Sequence, residues 1–129
     1  MKFPLIVEGS NWESMEHREK VWGTELWLVN NKEYCGKLLA LKKGCVCSYH
    51  YHPTKKETFY VLMGKIKLTV NDIDYIMANK YLEVKGSSPR TINPGVKHKF
   101  EGLTNALILE ISTHHEDSDC VRLTESKGA

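Results

Sequence analysis

The chain has 129 residues, with 18 lysines and arginines against 16 aspartates and glutamates, a formal net charge of +2 and 41% hydrophobic residues. That length suits a single domain over residues 1–129 with one buried core, and is too short for two. Balanced charge without long runs of one sign leaves no footprint for nucleic acid or an anionic membrane, and no stretch approaches the roughly 20 apolar residues of a membrane span.

The apolar stretch after Met1-Lys2 stops at Glu8, too short for a signal peptide, so a cytoplasmic protein is the expectation. A short helix is predicted over 11–20, capped by Ser10 with Glu13 completing a capping box. It should stop before Trp22-Gly23. From there the chain reads as short strands at 25–30, 37–41, 46–52, 58–62, 65–70, 73–78, 81–84, 91–92, 97–101 and 106–112. Turn residues punctuate them at Asn30-Asn31, Lys43-Gly44, Asn71-Asp72, Lys85 to Pro89, and Asn93-Pro94-Gly95. Strands at about ten-residue spacing, with no long helical pattern between them, predict an all-β sandwich or barrel.

Cys35, Cys45, Cys47 and Cys120 form no CxxC pair. Reduced thiols are expected, with Cys35 and Cys120 packed as small hydrophobes. Cys45 and Cys47 share one face of a strand, which leaves a thiolate metal site as a rival reading.

The segment that carries chemistry runs from Gly44 to Gly64. On a strand, His50 and His52 point the same way, about 7 Å apart along the backbone. The chain then turns at Pro53-Thr54, after which Lys55, Glu57 and Phe59 share parity. A third imidazole, His98, follows the Asn93-Pro94-Gly95 turn. Three neutral nitrogens and a carboxylate oxygen suit one divalent ion: manganese, iron, zinc, nickel or cobalt. An HxH pair by itself is more often a surface or core feature, and Glu57 and His98 are what shift the reading to a metal.

This segment matches the first cupin motif, G-x5-H-x-H-x4-E-x6-G, at every specified position. The second motif, G-x5-P-x-G-x2-H-x3-N, is met in part: Gly95-Val96-Lys97-His98 fits its centre, proline directly precedes the glycine, and Gly102 stands where asparagine is expected. The chain thus resembles the cupin superfamily, which implies a jelly-roll barrel with the metal inside its mouth. Trp22-Gly23-x-Glu25-x-Trp27 and the tail from Leu109 to Leu123 are similar to segments of the phosphomannose-isomerase-like cupins. D-lyxose isomerases carry a lysine three residues after the second histidine, where Lys55 sits, and a glutamate opening a Glu-hydrophobic-Ser run, where Glu110 sits.

The resemblance implies a metal-dependent aldose–ketose isomerase acting on mannose-, lyxose- or fructose-type sugars or their phosphates through an enediolate. Manganese is the expected ion. Glu110 would transfer the proton if it faces inward, and Lys55, its pKa lowered beside the cation, would stabilise the oxyanion. The alternatives are a cupin oxygenase using the same cage and a non-catalytic sugar-binding cupin. Trp22 and Trp27 are expected to plug the barrel or a subunit contact, His114 and His115 to lie in a loop, and Asp117 and Asp119 to pair with Arg122. Arg90, Lys97 and Lys99 are the candidates for a phosphate clamp. A homodimer that exchanges residues 3–7 as a strand is the expected assembly.

Overall fold

Alternating side chains build two antiparallel sheets. The computed structural model describes residues 16–79 and 89–129. Its strands are β1 Glu16–Lys20, β2 Gly23–Asn30, β3 Cys35–Leu41, β4 His50–Tyr51, β5 Glu57–Met63, β6 Lys65–Val70, β7 Ile73–Ala78, β8 Arg90–Ile92, β9 His98–Gly102, β10 Ala106–Ser112 and β11 Val121–Arg122. One sheet runs β1-β2-β3-β10-β5-β8 and the other β11-β4-β9-β6-β7. The described residues contain no helix long and apolar enough to cross a membrane.

The N-terminal helix is corrected in its second half. Ser10 and residues 11–15 lie outside the described residues, but Glu16–Lys20 forms strand β1, antiparallel to β2, with Glu16 opposite Trp27 and Lys20 opposite Gly23. The sequence Glu-His-Arg-Glu-Lys has no apolar residue for a helix to bury, whereas pairing with β2 satisfies its backbone and stacks Arg18 on the Trp27 ring at 3.9 Å. Intrinsic propensity is a weak prior against such pairing. The predicted strand 81–84, most of the 85–89 turn and the exchanged strand 3–7 also fall outside the described residues.

The long strand predicted over 46–52 shortens to His50–Tyr51. Val46 makes only isolated bridges, to Glu101 and Lys127. The β6–β7 hairpin turns where expected, with positive φ at both Asn71 (49°) and Asp72 (68°). That is a primed turn, whose twist matches that of its strands.

The inward columns change character along the barrel. Buried side chains of β3 read Cys35, Lys37, Leu39, Leu41; those of β5 read Glu57, Phe59, Val61; those of β10, taken backwards, read Ser112, Glu110, Ile108, Ala106. Pairing aligns their polar ends, with Glu110 opposite both Lys37 and Phe59, and Ser112 opposite Glu57. The apolar ends meet Trp22, Ile66, Leu68, Met77 and Phe100 in the core. Each such side chain contributes about 1.5–3 kcal/mol on burial. The fold is therefore carried at one end, and the other is left to hold charge.

Candidate metal centre

Two pairings bring the histidines together. His50 in β4 lies directly opposite His98 in β9. The Gly95 amide donates to the His52 carbonyl at 2.8 Å, tying the Asn93-Pro94-Gly95 turn to the first histidine segment. Gly102, which replaces the motif's asparagine, sits where a Cβ would lie 2.6 Å from the Lys42 carbonyl oxygen. Close backbone approach, rather than a lost ligand, accounts for that departure.

Every ring is oriented by its far nitrogen. Nδ1 of His50 donates to the Ser48 carbonyl at 2.7 Å, Nδ1 of His52 to the Asp119 carbonyl at 2.6 Å, and Nδ1 of His98 to the Val96 carbonyl at 2.9 Å. A proton fixed on Nδ1 leaves a lone pair on Nε2. The ligand atoms of the three histidines lie within 4.8 Å of one another. Oε2 of Glu57 approaches Nε2 of both His52 and His98 at 3.2 Å. Lone pairs thus face lone pairs. Glu57 Oε2 and His98 Nε2 are fully buried with no hydrogen bond among the described residues, a costly arrangement that a shared cation relieves. The donor set fits a divalent ion.

Electrostatics keep His50 and Glu57 deprotonated. Burial, and then the neighbouring His98, push His50 down to about 3, against the Ser48 hydrogen bond. Burial acts to raise the Glu57 carboxyl, but the groups around it, the Lys55 ammonium among them, outweigh burial and hold it well below the usual carboxylate range. Cys45 and Cys47 lie in the hydrophobic core, and burial pushes the Cys47 thiol up to about 12. The thiolate reading therefore has no support from Cys47.

Beside the cage lies a buried ion pair. Asp119 accepts the amide hydrogens of Thr54 and Lys55, both at 2.8 Å, and so fixes the turn that sends Lys55 inward. Lys55 Nζ stands 3.1 Å from Glu110 Oε2 and 3.8 Å from Glu57 Oε1. Glu110 faces the interior, where Ser112 Oγ also donates to its Oε2 at 3.2 Å. Without an ion, burial acts to lower the Lys55 pKa, but Glu110 and Glu57 outweigh it and raise it.

His115 lies in a loop, as expected for it and His114, but it also reaches the cavity, which sequence did not signal. Its Nδ1 accepts from Lys55 Nζ at 3.1 Å and its Nε2 donates to Asp117 at 2.9 Å. It lines the same cavity as His50, His52, Glu57 and Glu110, a space of about 290 Å³. The only sequence clue was its place in a polar tail, since contacts across 60 residues leave no local pattern. His114 is the loop residue expected, bonded to the Asn31 carbonyl and Glu116. Asp117 pairs with Arg18 at 2.8 Å rather than with Arg122. Trp22 packs in the core against Phe100. The expected phosphate clamp does not line this cavity: Arg90 stacks on Tyr75, Lys97 pairs with Asp72, and Lys99 lines a second groove. Arg18, Lys20 and Arg122 line it instead.

No protein-family model matches the chain, and no curated protein does. Solved structures do. KdgF from Halomonas sp. superposes with a TM-score of 0.69 at 10% identity, over 82% of this chain and 92% of that one. The capsular polysaccharide assembling protein CapF from Staphylococcus aureus gives 0.67 at 17% identity, over 88% of this chain and 34% of its own. An oxalate decarboxylase variant from Bacillus subtilis gives 0.72 at 15%, over 87% and 31%. The chain thus spans about a third of the last two. Such identities carry the fold and no activity.

Proposed function

Taking as its premise that the chain has the cupin jelly-roll fold of these structures, we propose that it is a metal-dependent aldose–ketose isomerase acting on a sugar or sugar phosphate. His50, His52 and His98 would hold the ion through Nε2 and Glu57 through Oε2. A divalent ion there, manganese in this reading, would supply Lewis acidity toward the carbonyl and adjacent hydroxyl of an open-chain sugar.

The observation that carries the reading is the buried Lys55–Glu110 pair, 3.1 Å apart and next to the cage. Inserting oxygen at a metal does not in itself call for a lysine and a carboxylate so placed. Isomerisation needs both. Glu110 has Oε2 held by Lys55 and Ser112, which leaves Oε1 to take a proton from C2 and return it to C1. Lys55, held as an ammonium by two carboxylates, would donate a proton to the oxyanion that develops on O1 and take the hydroxyl proton from O2 in exchange, so that both the carbon-bound and the oxygen-bound proton are accounted for.

The test is turnover. Purified protein loaded with manganese is assayed on mannose, lyxose, fructose and their phosphates, beside Glu110→Gln. Isomerisation by the wild type, lowered about 10²- to 10⁴-fold in the variant with metal content unchanged, supports the roles given. An undiminished rate in Glu110→Gln removes Glu110 as the base, and no isomerisation of any of these sugars removes the reaction.

A further inference from the structure

Strands β1 and β11, each at the edge of its sheet, both border the cavity that holds the cage and bring cations to it. In β1, Arg18 lies opposite Glu25 and Lys20 opposite Gly23. Alternation therefore puts Arg18 and Lys20 on the same side as Glu25, which is the cavity side. In β11, Arg122 lies directly opposite His50. Cross-strand partners share a face, so Arg122 is turned toward the cavity as His50 is. Arg18, Lys20 and Arg122 all line that space.

Its charges do not cancel. The carboxylates that line it are Glu25, Glu57, Glu110 and Asp117, and each has a cation beside it. Lys37 Nζ stands 3.6 Å from Glu25, Lys55 Nζ 3.1 Å from Glu110 and 3.8 Å from Glu57, and Arg18 2.8 Å from Asp117. Arg18 is fully engaged, since Glu16 also takes its Nε at 2.7 Å and the Trp27 ring lies under its guanidinium. Lys20 and Arg122 are left over. Neither has a carboxylate within 4 Å among the described residues. The near neighbour of Arg122 is the Cys120 thiol, which burial keeps protonated and so uncharged.

We infer that Lys20 and Arg122 form an anion-binding subsite at the rim, which takes the phosphate of an open-chain sugar phosphate whose other end lies at the cage. A phosphate monoester carries about −1.5 to −2 charges at pH 7, which matches the two unpaired cations. A free sugar would leave both unpaired, and a sugar carboxylate would offset one. Arg122 offers a planar fork for two phosphate oxygens and Lys20 a mobile point charge. A phosphate held by these edge strands also stays clear of the buried Glu57 and Glu110, which would repel it. The subsite rests on the proposed reading of the cavity as a sugar site and narrows the substrate there to the phosphate.

The test is binding, kept apart from turnover. Mannitol 1-phosphate, an open-chain sugar phosphate without a carbonyl, is titrated into manganese-loaded protein by calorimetry, with mannitol in parallel. The proteins are the wild type, Lys20→Met, Arg122→Met and the double variant, with metal content and thermal midpoint recorded for each. Neither side chain has an ion pair to lose, so the fold and the metal are expected to be kept. Affinity for mannitol 1-phosphate should fall about tenfold or more in each single variant and further in the double one. A phosphate held by the manganese alone would bind all four proteins equally, and that result overturns the subsite. So does a wild type that binds mannitol as tightly as its phosphate, or that binds no mannitol 1-phosphate. Lost phosphate affinity in the variants of a protein that isomerises no sugar upholds the subsite and sinks the isomerase. Isomerisation of free sugars, with equal phosphate affinity in all four proteins, does the reverse.

Discussion

Nε2 of His98 and Oε2 of Glu57 lie 3.2 Å apart, both fully buried and neither hydrogen-bonded among the described residues. With the His98 proton held on Nδ1 by the Val96 carbonyl, this contact sets two acceptors against each other. Metal binding should therefore stabilise the fold. At a free manganese concentration 100 times the dissociation constant, the gain is about 2.7 kcal/mol, read as a rise in thermal midpoint that a chelator reverses. His98→Ala should lose that response and bound metal while keeping most of the fold, because the apolar core lies at the other end of the barrel. An identical midpoint with and without divalent metals would count against the site.

Lys55 is the sole ammonium among the described residues within 4 Å of Glu110. Removing one partner of a buried pair leaves the other uncompensated. Lys55→Met should cost about 3–5 kcal/mol in urea unfolding. Adding Glu110→Gln should recover part of the loss, since the two changes share one interaction. Strictly additive losses would mean that the pair is not coupled.

Acid should unfold the metal-free protein. His50 and His115 are held neutral, at about 3 and about 4, against roughly 6.5 in an unfolded chain. Between those values the unfolded chain binds more protons than the folded one, so stability rises with pH there. It is complete above about pH 6.5 and drains away as pH falls toward 3. Urea midpoints at pH 7, 5.5 and 4.5 should decrease in that order, and a flat series would refute the assignment.

Two motif glycines share nearly the same backbone but not the same surroundings. Gly64 has φ +78° and Gly95 φ +81°; a Cβ on Gly64 would lie 2.2 Å from the Asn105 carbonyl oxygen, whereas one on Gly95 meets nothing within 4 Å. Gly95→Ala should cost only the left-handed strain, about 1–2 kcal/mol. Gly64→Ala should cost clearly more, because backbone must shift as well. Comparable midpoints for the two variants would show that the β5–β6 turn yields freely.

Much of this was legible in sequence, and for local reasons. Alternation and turn residues located most of the described strands between residues 25 and 112, since a period of two and a positive-φ turn at Asn71-Asp72 are properties of neighbouring residues, but they overran β4 and missed β11. Spacing named His50, His52, Glu57 and His98, and parity put Lys55 on the side of Glu57. What only the tertiary structure decided depends on pairing between distant strands. Residues 16–20 became a strand because β2 offered them backbone partners. Glu110 faced inward because its register with Lys37 and Phe59 put it in the polar column. His115 joined the cavity, and Asp119 fixed the Lys55 turn, through contacts across some 60 residues. No window along the chain contains such contacts. They exist only once burial of the apolar columns has set the register, and with it the places where charge must collect.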